Sequence, residues 1–414
     1  MLLAMAFRRA LVLLAGMSSI SCGLVYDFDD YQAARGAGGG GQGGDGGGQG
    51  GSGGSGGAGG SGSCEGVDLM KDPQNCGGCG VDCAGGECTG GFCRSVTMDL
   101  KTQGKQVASL GDLVFVIRGD TLTGLGDLVT YPVEFLSDSM PQVVSEVCDS
   151  AGFMSATPTR VYYRAQNGGQ ICNKDMPAVM SQYVYACDAT PSCVKTAHNV
   201  PEHINGVAVV EGSFYFTVPS MPSELRVTSL TSDGVPSNME STIQVPSMDM
   251  TMDGAYLLSY DPDRKALWWT TFKGCVFRAD IQTLPLMTAP CFTQSVPSAG
   301  LLVISPSKQF YVSSVVNEVG KGIYKLDPDA MMPSMATLLE GTSELSLLAA
   351  DSDYIYAFDN ANPGLVALRH DSAKERARIP LPGAVGLGGI DVLNSKYVFF
   401  TEGKSLYRWR KPSP

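Results

Sequence analysis

Short apolar bursts separated by polar turn residues fill most of the chain, and one burst recurs. LVFVI (113–117), VYYRA (161–165), FYFTV (214–218), LWWTT (267–271), FYVSS (310–314), YIYAF (354–358) and YVFFT (397–401) begin 48, 53, 53, 43, 44 and 43 residues apart. Each is rich in β-branched and aromatic residues and too short for a helix, which predicts a strand. In the last four units the neighbours align as well. GAYLLSY, GLLVISP, LSLLAAD and GGIDVLN precede the burst, and CVFRADI, GIYKLDP, GLVALRH and SLYRWRK follow it. No sustained helical periodicity competes with this pattern. A repeat of about 40–50 residues carrying several strands predicts an all-β fold, a β-propeller of seven blades. The competing all-β arrangement is a pair of sandwiches. WD-repeat, kelch and Asp-box signatures are missing.

The last unit ends at RWRKPSP, one strand short, while SVTMDLKTQ (95–103) stands unassigned before the first unit. Pairing these two stretches would close the ring and remove its exposed edge.

The N-terminus follows a different pattern. Arg8 and Arg9 precede an apolar run from Ala10 to Met17, and small residues from Ser18 lead to Cys22. The run is too short to span a bilayer and reads as a cleavable export signal over residues 1–21. A cysteine after small residues resembles the bacterial lipoprotein signal, which implies that Cys22 is acylated and becomes the mature N-terminus. Ser19 departs from that pattern, which usually has leucine there. An acidic stretch, VYDFDDYQAAR, and then GAGGGGQGGDGGGQGGSGGSGGAGGSGS (36–63) complete residues 22–63. So glycine-rich a stretch cannot bury a core and predicts a flexible tether. Its 28 residues would span about 30 Å root-mean-square and near 100 Å when extended.

Residues 64–94 hold six cysteines, Cys64, Cys76, Cys79, Cys83, Cys88 and Cys93, spaced C-x11-C-x2-C-x3-C-x4-C-x4-C. Zinc ribbons supply two well-separated CxxC knuckles, whereas this stretch has one and no histidine. A module of some 30 residues cannot build a core of its own, so three disulfides are its expected support. DPQNCGGCGVDC with the following cysteines resembles the cysteine-rich repeat of the plant stigma-specific protein family. It is similar also to repeats in myxobacterial surface lipoproteins, where they stand between a glycine-rich linker and a propeller-like domain. The resemblance covers Asp72 to Cys93 and implies extracellular placement and disulfides, but no activity.

Thirteen cysteines less Cys22 leave an even twelve, six of them in residues 95–414: Cys148, Cys172, Cys187, Cys193, Cys275 and Cys291. Even numbers suit disulfides in an oxidising compartment. The most local pairings are Cys187 with Cys193 around DATPS, Cys275 with Cys291 from a strand to its following loop, and Cys148 with Cys172.

Charge and candidate chemistry narrow the function only by exclusion. The net charge of −12 becomes −14 once Arg8 and Arg9 are cleaved off, which argues against a nucleic-acid partner. His198 and His203 fall in AHNVPEHING, read as a proline-interrupted loop without the helical spacing of a zinc site. Met248, Met250 and Met252 alternate on one strand face, where core packing competes with copper binding. DPD at Asp261–Asp263 and again at Asp327–Asp329, with Asp351 and Asp353, reads as turn chemistry. No cofactor, metal or catalytic set is expected. The sequence thus predicts an exported protein of the cell envelope, anchored in the outer membrane or at the cell surface through its N-terminal lipid. Its propeller head is expected to bind or scaffold a surface protein or glycan. The alternatives are a propeller enzyme acting on an extracellular polymer, through paired carboxylates, and a structural envelope component.

Overall fold

A computed structural model describes residues 66–76, 83, 86–89, 92–119, 125–148, 154–157, 159–166, 182–188, 196–200, 206–218, 224–231, 236–244, 255–271, 275–283, 291–293, 296, 299–314, 321–330 and 335–412. The chain divides between Arg94 and Ser95 into two compact units.

The smaller unit is built around sulfur. Strands Cys88–Thr89 and Phe92–Cys93 form a hairpin in which Cys88 faces Cys93. Disulfides Cys76–Cys88 and Cys83–Cys93 cross one another in sequence order. Cys76, Cys83 and Cys88 are buried and make the hydrophobic centre that so short a segment otherwise lacks. Asp72 fixes the preceding turn, accepting from the Gln74 amide at 2.9 Å and from Asn75 Nδ2 at 2.9 Å.

The larger unit is all-β: seven four-stranded blades, with Ile281–Thr283 the one helical turn among the described residues. Strands within a blade are called A to D, and the A strands of successive blades touch from blade 3 round to blade 2. Blade 1 comprises Gln103–Leu110, Leu113–Gly119, Leu125–Pro132 and Gln142–Cys148; blade 2 Met154–Ala156, Arg160–Gln166, Gln182–Asp188 and Thr196–Val200. Blade 3 comprises Gly206–Val210, Ser213–Val218, Glu224–Leu230 and Pro236–Gln244; blade 4 Ala255–Asp261, Ala266–Thr271, Val276–Asp280 and Cys291–Thr293. Blade 5 comprises Ala299–Ile304, Phe310–Ser314, Ile323–Leu326 and Thr337–Leu338; blade 6 Leu345–Ala350, Tyr354–Asp359, Gly364–Arg369 and Glu375–Pro380. Blade 7 takes Gly389–Asp391, Tyr397–Glu402 and Ser405–Arg410 from the end of the chain, and its D strand, Val96–Asp99, from the beginning.

Every recurrent burst is a B strand, and packing explains why. A B strand lies inside its blade, so both of its faces press on neighbouring blades. Trp268 packs with Phe292, Leu302 and Phe310 toward blade 5, while Trp269 packs with Tyr215, Leu258 and Phe277 toward blade 3. Alternation along the strand sends adjacent residues to opposite seams. Each such side chain contributes roughly 1.5–3 kcal/mol when fully buried.

The ring closes as the unassigned stretch implied. Val96 pairs with Arg408, Met98 with Leu406 and Asp99 with Ser405. Val96 and Met98 are buried while Thr97 and Asp99 are exposed, the period-2 pattern of a half-buried strand. At the same seam the A strands of blades 7 and 1 approach backbone to backbone. A Cβ on Gly388 would collide with the Gly104 carbonyl oxygen and lie 2.7 Å from Thr401 Oγ1, so only glycine fits.

Candidate functional site

Strand direction gives the ring two faces. The A–B turns and C–D connections lie on one, the B–C turns and D–A links on the other. Val96 pairs near the C-terminal end of Ser405–Arg410, so the chain joins the ring on the A–B side, and it also leaves there at Lys411. This side is the proximal face and the opposite one the distal face.

Among the described residues, polar clasps join the blades across the proximal face from blade 3 round to blade 1. From blade 3 to blade 4, Lys265 Nζ lies 3.6 Å from Glu211 Oε1. From blade 4 to blade 5, Lys308 Nζ reaches Asp263 at 2.5 Å. Arg264 forks onto Asp329, Nε to Oδ1 at 2.8 Å and Nη2 to Oδ2 at 2.6 Å, while Nη1 donates to buried Asp261 at 2.9 Å. Both DPD segments thus grip one guanidinium. Its charged form is strongly favoured, first by the hydrogen bonds to Asp329 and then by those to Asp261.

The seams of blades 5, 6 and 7 meet at Asp351. His370 Nε2 donates to the Asp351 carbonyl at 2.9 Å, and its Nδ1 lies 2.8 Å from the Tyr311 hydroxyl, which donates to it in the neutral ring. Burial lowers the His370 pKa below its ordinary value, against the pull of Asp351 and Asp353. Asp351 Oδ1 accepts the amides of Asp353 and Tyr354, and Oδ2 accepts from the Tyr356 hydroxyl at 2.9 Å and Lys411 Nζ at 2.7 Å. Lys411 also donates to the Val392 carbonyl at 2.6 Å. Every polar atom of this node has a partner, as a structural network requires.

Between blades 7 and 1, Glu134 accepts from the Tyr397 hydroxyl at 2.7 Å and from Arg408 at 3.3 Å. Burial, reinforced by Glu134, pushes the Tyr397 phenol up to about 12. Arg408 is itself buried, stacked over Phe135 and Tyr397. Asp391 accepts the Leu393 amide at 2.7 Å and the Ser109 amide across the seam, and burial raises its pKa.

The described link from blade 6 to blade 7 is footed on buried Leu381, Ala384 and Leu387, and Gly383 and Gly386 take positive φ on either side of Val385. Val385 is 99% exposed, an apolar side chain held wholly in solvent by a pinned link.

The residues singled out from the sequence scatter. Cys275 and Cys291 are disulfide-bonded, the second lying in a D strand of its own rather than in a loop. Cys187 is buried and disulfide-bonded. Cys148 ends the D strand of blade 1, backbone-paired with Gln166. Cys22, Cys64, Cys79, Cys172, Cys193, His203, Met248, Met250 and Met252 lie outside the described residues. His198 corrects the loop reading. It sits within strand Thr196–Val200, paired with Val184, because the proline break comes only after Val200. Asp261, Asp327 and Asp351 do cap turns, each accepting the amide two residues on. What sequence reasoning missed is the bond between the two DPD segments through Arg264, which no local spacing signals.

No protein-family model matches this chain, and no curated protein matches it. Among solved structures it is similar to the β-propeller domain of Cps50 (Swd1) from Myceliophteria thermophila. The TM-score is 0.54 at 12% identity, covering 75% of this chain and 97% of that one. At that identity the likeness extends to the fold alone.

Proposed function

We propose that this is an exported, lipid-anchored protein of the cell envelope whose propeller presents its distal face to a surface protein or glycan. The observation that carries the reading is that the chain both joins and leaves the ring on the proximal face. A tether rooted there leaves the other face free, and loops on a rigid frame are where propellers bind. Among the described residues, the clasps commit many charged proximal side chains to holding blades together, and Val385 in the distal link is the most exposed large apolar side chain, ahead of Met140 and Met335 on the proximal side. Export and acylation rest on the signal-like residues 1–21, Cys22 and the lipoprotein-like arrangement of linker, cysteine module and propeller.

Two measurements test this. Intact mass of the native protein, alkylated with and without reduction, should show diacylglycerol on Cys22 and no thiol that labels before reduction. Zinc released with thiols that react only after chelation would refute the oxidised, exported reading. A photocrosslinking residue at Val385 should capture one discrete partner on intact cells, and the same residue at Asp353 on the proximal face should not. Equal capture from both positions, or from neither, would refute distal-face binding.

A further inference from the structure

The molecule is acidic, yet its last stretch is not. Residues 365–414 carry nine Lys and Arg against four Asp and Glu, a net +5 that leaves −17 on the rest of the chain. Folding concentrates this excess. Arg369 ends the C strand of blade 6, Lys374 and Arg376 flank the start of its D strand, and Lys396 lies in the A–B turn of blade 7. All four are exposed, and all lie toward the proximal end of their blades. Exposed Asp353, Asp371 and Glu134 oppose them, Glu134 lying 3.9 Å from Lys396 Nζ, while Glu375 is engaged by Arg378 at 2.7 Å. Elsewhere on this face the charge turns acidic or self-paired, with Asp112, Asp138 and Asp327 exposed and Lys265, Lys308 and Arg264 held in clasps. The chain joins the ring inside the basic sector, where Val96 pairs with Arg408.

We infer that the proximal rim of blades 6 and 7 is a docking surface for phosphate-bearing anionic lipid headgroups. This rests on the anchored reading above, which brings that rim next to a membrane. The remaining acidic rim is repelled by the same surface, so the propeller leans on blades 6 and 7 rather than lying flat. Exposed cations within a Debye length of anionic headgroups attract them, and added salt weakens the attraction.

The test uses the mature chain with Cys22→Ser, so that binding owes nothing to acylation. It should sediment with vesicles of 30% phosphatidylglycerol in phosphatidylcholine and not with phosphatidylcholine alone, and 0.5 M salt should release it. R369E/K374E/R376E should weaken binding by about tenfold or more, whereas K404E, on the distal side, should leave it unchanged. No binding to the anionic vesicles, equal loss in both variants, or unchanged binding by the triple variant would overturn the inference. Tighter retention on a sulfated-glycan resin than on the vesicles at equal salt would also overturn it, assigning the patch to a polyanion. The mass of Cys22 decides the anchor separately, so either idea can fail alone.

Discussion

Replacing Arg264 by methionine isolates the clasp between blades 4 and 5. Methionine keeps much of the stem that packs near Phe310, over whose ring the guanidinium sits at 5.7 Å. What disappears is the fork to Asp329 and the bond to Asp261. Asp329 is exposed and rehydrates freely, so its share is small. Asp261 is only 2% exposed and keeps the Asp263 amide at 3.1 Å, but it loses its charged partner. A hydrogen bond between charged groups contributes about 1.5–3 kcal/mol, and the stranded carboxylate holds the loss toward the upper part, about 2–3 kcal/mol. With an unfolding entropy of about 2.1 cal/mol/K per residue over some 320 residues, that lowers Tm by about 3–5 °C. Differential scanning calorimetry at neutral pH reads the shift directly. D329N should move Tm by less than about a third as much. If D329N matches R264M, or R264M melts within 1 °C of the parent, then Asp261 is not the group that makes this clasp matter.

Three further outcomes follow from the seams. Because burial holds the folded pKa of His370 below 6.5, the unfolded chain takes up the proton first as pH falls. The stability due to neutral His370 is complete above pH 6.5 and lost on acidification through the folded pKa. H370Q, which can satisfy both Tyr311 and the Asp351 carbonyl, should flatten that part of a Tm–pH profile recorded from pH 8 to 4. Charges on Asp351, Asp353 and Lys325 face the same ring, and their contribution should persist in the variant. G388A should cost about 1–3 kcal/mol by forcing apart the A strands of blades 7 and 1, and a thermal melt unchanged within 1 °C would contradict the close approach. A chain begun at Leu100 leaves Ser405–Arg410 as an unpaired edge. It should associate in light scattering with size exclusion, and a peptide of residues 94–100 should suppress that association.

The blades were legible because a B strand buried on both faces must be apolar throughout, so FYFTV or YVFFT stands out without any partner in view. The closing strand was legible because one unit lacked a strand and another stretch lacked a unit. The clasps were not, since they join residues remote in sequence: Arg264 to Asp329, Arg408 to Glu134, Tyr311 to His370. Nothing local to AHNVPEHING distinguishes a loop from a D strand that happens to stop at Val200, because an outer strand is short and only weakly apolar. No local sequence signal marks Val385. Only the buried feet at Leu381, Ala384 and Leu387 show that it is presented rather than merely unburied.

The strand Val96–Asp99 has a mechanical consequence. If the tether is anchored and a partner held as proposed above, a pull between them would enter the propeller through its outermost strand, which grips its neighbour over four paired residues. Because the pull runs along the strand from its Val96 end, those bonds are stressed together in shear rather than peeled one at a time. The same strand is the ring's closure, so the force that detaches it also opens the circle between blades 7 and 1. Tension therefore reaches first the seam reinforced by Glu134, Arg408 and Asp391. A head built this way would yield first at its closing strand, while the clasps from blade 3 to blade 7 bear none of that load directly.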